Sequence, residues 1–277
     1  MIPVRVRQFP TFIQEALKKQ VVLGRADPVG LTFQLCFFSC QSHFRFLYCS
    51  LHSLKKQVQH TNFKVQIFSD AEQPLSDAQI AAIQALIPGT LVTVWPRSVG
   101  WGATQIGNIW RAYGIAAAEL KDSDFIVKID SDVFFFNDLI FRVAARSDAD
   151  LIGDGHYVDF KYSQGGCYFF KVGAVRNINA SIEKLGMEQM LQGIDVAAED
   201  AAATHFAKTL GLKVWLTWFM MFPDELKNAG GLTAWYRWKF SCLHFVMKNK
   251  VAMLEAYEQE VLGGATPIPY KNAMTIQ

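Results

Sequence analysis

The feature that most constrains the fold is an alternation of two hydrophobic periods through the first half of the chain. "LTFQLCFFS" (31–39) is apolar and β-rich, and in the following "HFRFLYCSLHSLKKQ" the residues Phe46, Leu47, Leu51 and Leu54 fall at helical spacing. "FKVQIFSD" (63–70) reads as a second strand that ends on Asp70. "SDAQIAAIQALIPG" opens with a Ser76–Gln79 capping box, carries Ile80, Ile83 and Ile87 on one face, and stops at Pro88-Gly89. "TLVTVWP" (90–96) is a third strand. Residues Gln105 to Leu120 read as a helix with Ile109, Ala112, Tyr113, Ala116 and Leu120 inward, and "DFIVKIDSDVFFF" (124–136) as a fourth strand. Strand–helix alternation of this kind predicts an α/β fold, with a mixed, mainly parallel sheet flanked by helices. Ligands of such sheets bind beyond the carboxyl ends of the strands.

The fourth strand carries a difficulty. Asp130 and Asp132 stand between Ile126, Val127 and Ile129 on one side and Val133 to Phe136 on the other. An unpaired buried carboxylate costs several kcal/mol, against the roughly 5–15 kcal/mol by which a whole domain is stable. Residues i and i+2 of a strand face the same side, so the two carboxylates can converge on one cation. Hard divalent ions such as Mg²⁺ and Mn²⁺ take oxygen ligands and favour phosphate oxygens as partners. The plain alternative is one aspartate capping a turn and the other facing water. Placement after three β-α units favours the metal. Lys128, two residues before Asp130, is a cation for a diphosphate or a lysine snorkelling from a sheet edge.

The rest of the composition excludes several classes. Net charge is +2 without a long basic tract, which gives nucleic-acid binding no support. The five cysteines include no CxxC pair and read as reduced, mostly buried thiols of a cytoplasmic protein. "MIPVRVRQFP" lacks the apolar region of a signal peptide. "VWLTWFMMF" (214–222) is too short to span a bilayer, though an exposed part of it would suit a peripheral lipid contact or a greasy acceptor. With no repeat or linker, one domain over 1–277 is the simplest organisation.

"IWRAYGIAAAELKDSDFIVKIDSD" resembles the "ARNxGIxxAxGxYIxFLDxDD" pattern of the large inverting family of GT-A-fold glycosyltransferases, with Arg111, Gly114 and Ile115 matching and Ala112 in place of Asn. The resemblance covers roughly residues 30 to 250. It implies a Rossmann-like GT-A domain in which Asp130 and Asp132 hold Mn²⁺ or Mg²⁺ against a nucleotide-sugar diphosphate. It also implies a donor-binding half over 30–132 and an acceptor and metal-completing half over 133–262. Arg111, Lys128, Ser131 and Asp70 become candidate donor contacts, as does Trp101 in the Gly-rich turn "VGWGATQ". Arg111 is equally suited to a plain helix surface.

Two carboxylates rarely fill a metal's shell, and "CLHFVMKNK" supplies His244-Phe245 and Lys250 at the spacing at which several GT-A families place a third ligand and a diphosphate-binding lysine. Met247 stands where those families have Gly, and Val251-Ala252 where they have Pro-Trp. "QGGCYFF" (164–170) and the acidic pair Glu199-Asp200 resemble the Gly-Gly strand entry and "ED" of inverting enzymes related to fringe and the β3-galactosyltransferases. That implies Asp200 as the base that deprotonates an acceptor hydroxyl, with Glu199 or Asp195 as substitutes. Acidic residues before a helix are also favoured by its dipole without any catalysis. The His-Phe…Lys tail is more familiar from retaining, glycogenin-type enzymes, which have Asp-Gln-Asp where this chain has Ala-Glu-Asp; inversion is the expectation and retention the alternative. The GT-A resemblance implies that Asp154, His156 and Asp159 in "GDGHYVDF" face the donor sugar and the acceptor; loop polarity explains them equally well.

The resemblance implies an acceptor that is a glycan, a lipid or a small molecule. A haloacid-dehalogenase phosphatase would want Thr or Val where Phe134 stands, and a nucleotidyltransferase a Gly-rich basic loop where "FFSCQSHFR" stands. A catalytically inactive GT-A domain serving as a sugar-binding or scaffold module is the reading from another class.

Overall fold

A computed structural model describes residues 30–59, 61–97, 102–194, 197–223, 240–246 and 250–261. β1 (Phe33–Ser39), β2 (Phe63–Asp70), β3 (Leu91–Trp95) and β4 (Phe125–Ile129) are joined through α1 (Phe44–Gln57), α2 (Asp77–Leu86) and α3 (Ala103–Ala116). All pairings among these four strands are parallel. The chain continues through β5 (Val133–Phe135), α4 (Leu139–Arg146), β6 (Leu151–Asp154), β7 (Cys167–Lys171), α5 (Val172–Leu185), α6 (Met187–Met190) and α7 (Glu199–Thr209). It ends in β8 (Val214–Thr217), β9 (Met220–Met221), β10 (Cys242–His244) and α8 (Lys250–Glu260).

The main sheet has the order β3-β2-β1-β4-β7-β6-β8, with β7 antiparallel to both neighbours. β1 has β2 on one side and β4 on the other, so the crossovers reverse direction between β1 and β4. A crevice at the carboxyl ends of the strands is the expected consequence of such a reversal.

β1 is buried on both faces and its side chains alternate between two cores. Phe33, Leu35 and Phe37 join α1, α2 and α4 in one core, and Cys36 and Phe38 join α3, α5 and α7 in the other. A third core lies between a small sheet, β5-β10-β9, and α8, where Phe134, Met221, Leu243, Met253 and Tyr257 meet. The apolar stretch at 214–222 is consumed by core packing: Trp215, Phe219 and Met220 join the first core, and Trp218 and Met221 the third.

Several sequence expectations hold closely. Ser76 accepts from the Gln79 amide at 3.3 Å while the Gln79 side chain accepts from the Ser76 amide at 3.0 Å, the reciprocal cap expected for α2. Cys36, Cys40, Cys49, Cys167 and Cys242 are free thiols, all buried but the half-buried Cys40. Two expectations need correction. The helix expected to reach Leu120 ends at Ala116, because Arg176 of α5 takes the carbonyls of Ala117 and Leu120 at 3.0 and 2.7 Å and turns the chain away. Residues 124–136 are not one strand but two, β4 and β5, in different sheets. Among the described residues, no helix is long and apolar enough to cross a membrane.

Candidate active site

The break between β4 and β5 is the acidic Asp130-Ser131-Asp132 segment. The Asp130 amide donates to Gly166 O at 2.8 Å, and its carbonyl accepts from Val133 N at 3.2 Å, which closes a tight turn. The Asp132 carbonyl accepts from Phe245 N at 2.9 Å, and β5 then pairs with β10 so that Val133 faces His244. The aspartates therefore converge through a turn rather than as i and i+2 of a strand, where their Cα atoms would lie ~6.6 Å apart along a straight edge. The turn sits at the carboxyl end of β4, beside the reversal point.

One oxygen of Asp130, one of Asp132 and a ring nitrogen of His244 all lie within 4.8 Å of one another. His244 Nε2 is 3.2 Å from Asp132 Oδ1 and 3.6 Å from Asp130 Oδ2. The remaining oxygen of each carboxylate is held by a lysine: Lys128 Nζ is 2.7 Å from Asp130 Oδ1, and Lys250 Nζ is 3.1 Å from Asp132 Oδ2. Each aspartate thus has one oxygen clamped and one turned toward the imidazole. Burial opposes ionisation of Asp132, but the hydrogen bond and charge of His244 and the Lys250 ammonium outweigh it and hold the carboxyl down at about 2.

His244 is buried, and its ring lies on Gly166: a Cβ there would come within 2.6 Å of Nδ1. Nδ1 itself has no hydrogen-bond partner. Two carboxylate oxygens and one imidazole nitrogen, converging with Nε2 innermost, form an O,O,N donor set suited to Mn²⁺ or Mg²⁺. The residues fit the ion.

Lys128 is buried, though lysines rarely are. Burial opposes its charge, but Asp130 and then Glu199, 3.6 Å away, overcome this and raise its pKa; it also donates to Gly165 O. Glu199 accepts from the Tyr168 hydroxyl, which in turn bonds the Tyr113 hydroxyl at 2.7 Å. Burial is the main reason that the Glu199 carboxyl rises to about 7, with Lys128 pulling the other way. Asp200, half-buried, bonds the Ala201 amide at 2.8 Å, and its Oδ2 lies against Gly165, 3.1 Å from where a Cβ would be. Its pKa is raised, first by burial. Glu199 and Asp200 form the first turn of α7 rather than preceding it.

The other candidates are dispersed. Ser131 is buried inside the acidic turn. Asp70 ends β2 on the same rim and accepts from the Glu72 amide at 2.8 Å. Arg111 is exposed on α3, bonded to Asn108 with its guanidinium 6.0 Å from the Trp95 ring. Trp95 belongs to β3, three strands or ~14 Å from β4. Trp101 and Asp195 lie outside the described residues.

Asp154 faces neither sugar nor solvent. It is fully buried, accepting from the amides of Phe219 and Met220 at 2.8 Å and of His156 at 3.1 Å, and burial pushes its carboxyl up to about 7. His156 stacks on Trp218 at 3.8 Å. Sequence reasoning missed the Tyr113–Tyr168–Glu199 chain and the Gly166 seat of His244. The Gly-Gly pair was the visible signal for the seat; nothing in the spacing of the two tyrosines announced the chain.

The structure matches that of the galactosyltransferase LgtC, solved in complex with donor and acceptor sugar analogues, with a TM-score of 0.55 over 87% of this chain and 99% of that one, at 14% identity. This is the GT-A fold. An active-site mutant of LgtC matches to the same extent, with the same TM-score of 0.55. The bifunctional glycosyltransferase WbbM is 12% identical, with a TM-score of 0.49 over 92% of this chain and 54% of that one. No protein-family model matches the sequence, and no curated protein does. The acidic turn after β4 is consistent with a DxD motif, and His244 joins it from the small sheet.

Proposed function

We propose that the protein is a metal-dependent glycosyltransferase, moving a sugar from a nucleoside-diphosphate donor to a hydroxyl-bearing acceptor. The observation that carries this reading is the convergence of Asp130, Asp132 and His244 at the carboxyl rim of a GT-A sheet, with Lys250 on the same cluster. Asp130, Asp132 and His244 would hold Mn²⁺ or Mg²⁺, which supplies positive charge against the diphosphate as it departs. Lys250 presents a second cation to the same leaving group. Lys128 fixes Asp130 from below, and Glu199, occupied by Tyr168 and Lys128, serves that fixation rather than proton transfer.

Asp200 is the group left to take the acceptor's proton. Burial raises its pKa, which makes it a stronger base than an ordinary carboxylate. Base-assisted attack gives inversion at the sugar carbon. Retention is the second reading, favoured by the joint engagement of Asp132 by His244 and Lys250, the pairing that resembles glycogenin-type enzymes. The anomeric proton coupling of the first-formed product separates the two.

The test begins with a thermal-shift screen of nucleoside diphosphates with and without Mn²⁺, since a ligand of the folded state raises its melting point. Hydrolysis of the matching nucleotide sugars follows. Mn²⁺-dependent binding and cleavage of one donor is the expected result; binding without cleavage would make the protein a sugar-binding module. Stabilisation by none of the diphosphates would remove the basis of the assignment.

A further inference from the structure

A cavity of about 470 Å³ opens between the 158–162 loop and the outer face of α7. That is the size of small-molecule sites in general and suits one or two sugar rings. Its α7 wall is Ala201, Thr204, His205 and Lys208, spaced so that they share one helix face; Asp159, Lys161 and Tyr162 form the opposite wall.

The loop is built rather than slack. Asp159 and Phe160 both hold left-handed backbone angles, φ 50° and 58°, a conformation that costs about 1–3 kcal/mol for such residues. Phe160 N bonds Gly155 O at 2.8 Å, Ser163 N donates to the Thr204 hydroxyl at 2.8 Å, and Lys208 Nζ reaches across to Lys161 O at 2.9 Å. The lining carries Lys161, Lys208 and His205 against the single acid Asp159, and among the described residues none of these four enters an ion pair.

The cavity also adjoins the proposed base. Ala201, in its wall, follows Asp200 directly and donates its amide to that carboxylate. Partial burial and then the charge of Asp200 raise the Tyr162 phenol, so the two groups lie within electrostatic reach of one another.

The geometry points to this cavity as the acceptor site, taking a sugar that carries an acidic group, carboxylate or phosphate, near the hydroxyl that is glycosylated. The inference rests on the glycosyltransferase reading for the word acceptor, whereas the acidic-sugar preference stands on the cavity alone. Lys161 and Lys208 grip the acid, Tyr162 covers a ring, and the hydroxyl is turned toward Asp200.

The experiment is a ¹⁵N NMR titration of the full chain with methyl β-glucuronide, glucose 6-phosphate and neutral methyl β-glucoside. Wild-type protein is expected to bind at least one acidic probe at least tenfold more tightly than the glucoside, with the Tyr162, Ala201, Thr204 and His205 amides shifting. Lys161→Glu, a change confined to an exposed side chain, should abolish that preference, and Lys161→Arg should keep it. Equal binding of acidic and neutral sugars, shifts elsewhere in the protein, or an unchanged preference in Lys161→Glu would overturn the proposal. Inorganic phosphate matching the acidic sugars would overturn it too, by showing a bare anion site. Donor hydrolysis by the wild-type protein is measured in parallel. Its failure in the wild-type protein would count against the enzyme reading and leave the sugar-acid result to be judged by the titration.

Discussion

Gly166→Ala is the sharpest perturbation of the proposed metal site. Gly166 does not have a left-handed backbone, so alanine meets no conformational penalty there. Its methyl would, however, stand 2.6 Å from His244 Nδ1 and 2.9 Å from Cγ and Cε1. Ordinary contact begins near 3.5 Å, so the ring must retreat by roughly 0.9 Å. Metal bonds tolerate displacements of about 0.2 Å. Since the ring is enclosed, the retreat also strains its surroundings, at about 1–3 kcal/mol for overpacking. Loss of ligand placement by a supporting residue lowers metal affinity roughly 10–100-fold, or about 1.4–2.7 kcal/mol. Calorimetric titration with Mn²⁺, next to urea unfolding without metal, reads both quantities. Gly165→Ala is the control, because its methyl would press on Asp200 instead. Mn²⁺ affinity within twofold of wild type in Gly166→Ala would refute the placement of His244 as a ligand.

Asp132→Ala should lower Mn²⁺ affinity by at least 100-fold and abolish turnover, yet leave far-ultraviolet circular dichroism unchanged, because the turn is held by the backbone bonds Val133 N to Asp130 O and Phe245 N to Asp132 O, which alanine keeps. Lys128→Met leaves Asp130 and Glu199 without their cation; allowing for the partial exposure of Asp130 and the ease with which Glu199 takes up a proton, urea unfolding at pH 7 should show a loss of about 2 kcal/mol. A loss below ~0.5 kcal/mol would mean that the lysine is a bystander. Asp154 keeps its proton to about 7 when folded but ionises near 4 when unfolded, so its stabilising contribution is complete below pH 4 and is lost as pH rises through 7. Asp154→Asn should therefore flatten the decline in stability between pH 5 and pH 8, while costing about 1–3 kcal/mol at pH 5 because the His156 amide loses its acceptor; an unaltered slope would disprove the raised pKa.

The parts of this fold that were legible in the sequence are those decided locally. α2 was readable because a reciprocal cap and a Pro-Gly stop need only their own neighbours, and β2 because its ends coincide with a change of period. Asp130 and Asp132 stood out for a similar reason: two carboxylates in an apolar run demand an explanation within the run itself. What stayed hidden is settled by distant partners. Val133 to Phe136 looks the same whether it extends β4 or leaves for another sheet, and the choice is made by hydrogen bonds to β10. Asp154 looked like a loop acid because the amides that satisfy it belong to Phe219 and Met220. The role of Glu199 was equally invisible, since a helix-start glutamate gives no hint of a tyrosine hydroxyl arriving from β7.

The acidic turn is also the joint at which the polypeptide passes from the seven-stranded sheet to the three-stranded one, and His244 returns to it from the far side of that joint. Asp130 and Asp132 follow directly on β4, whereas His244 is brought to them by the pairing of β10 with β5. A divalent ion would consequently discriminate between a finished molecule and a half-built one, and its uptake during refolding would mark the moment when the two sheets lock together.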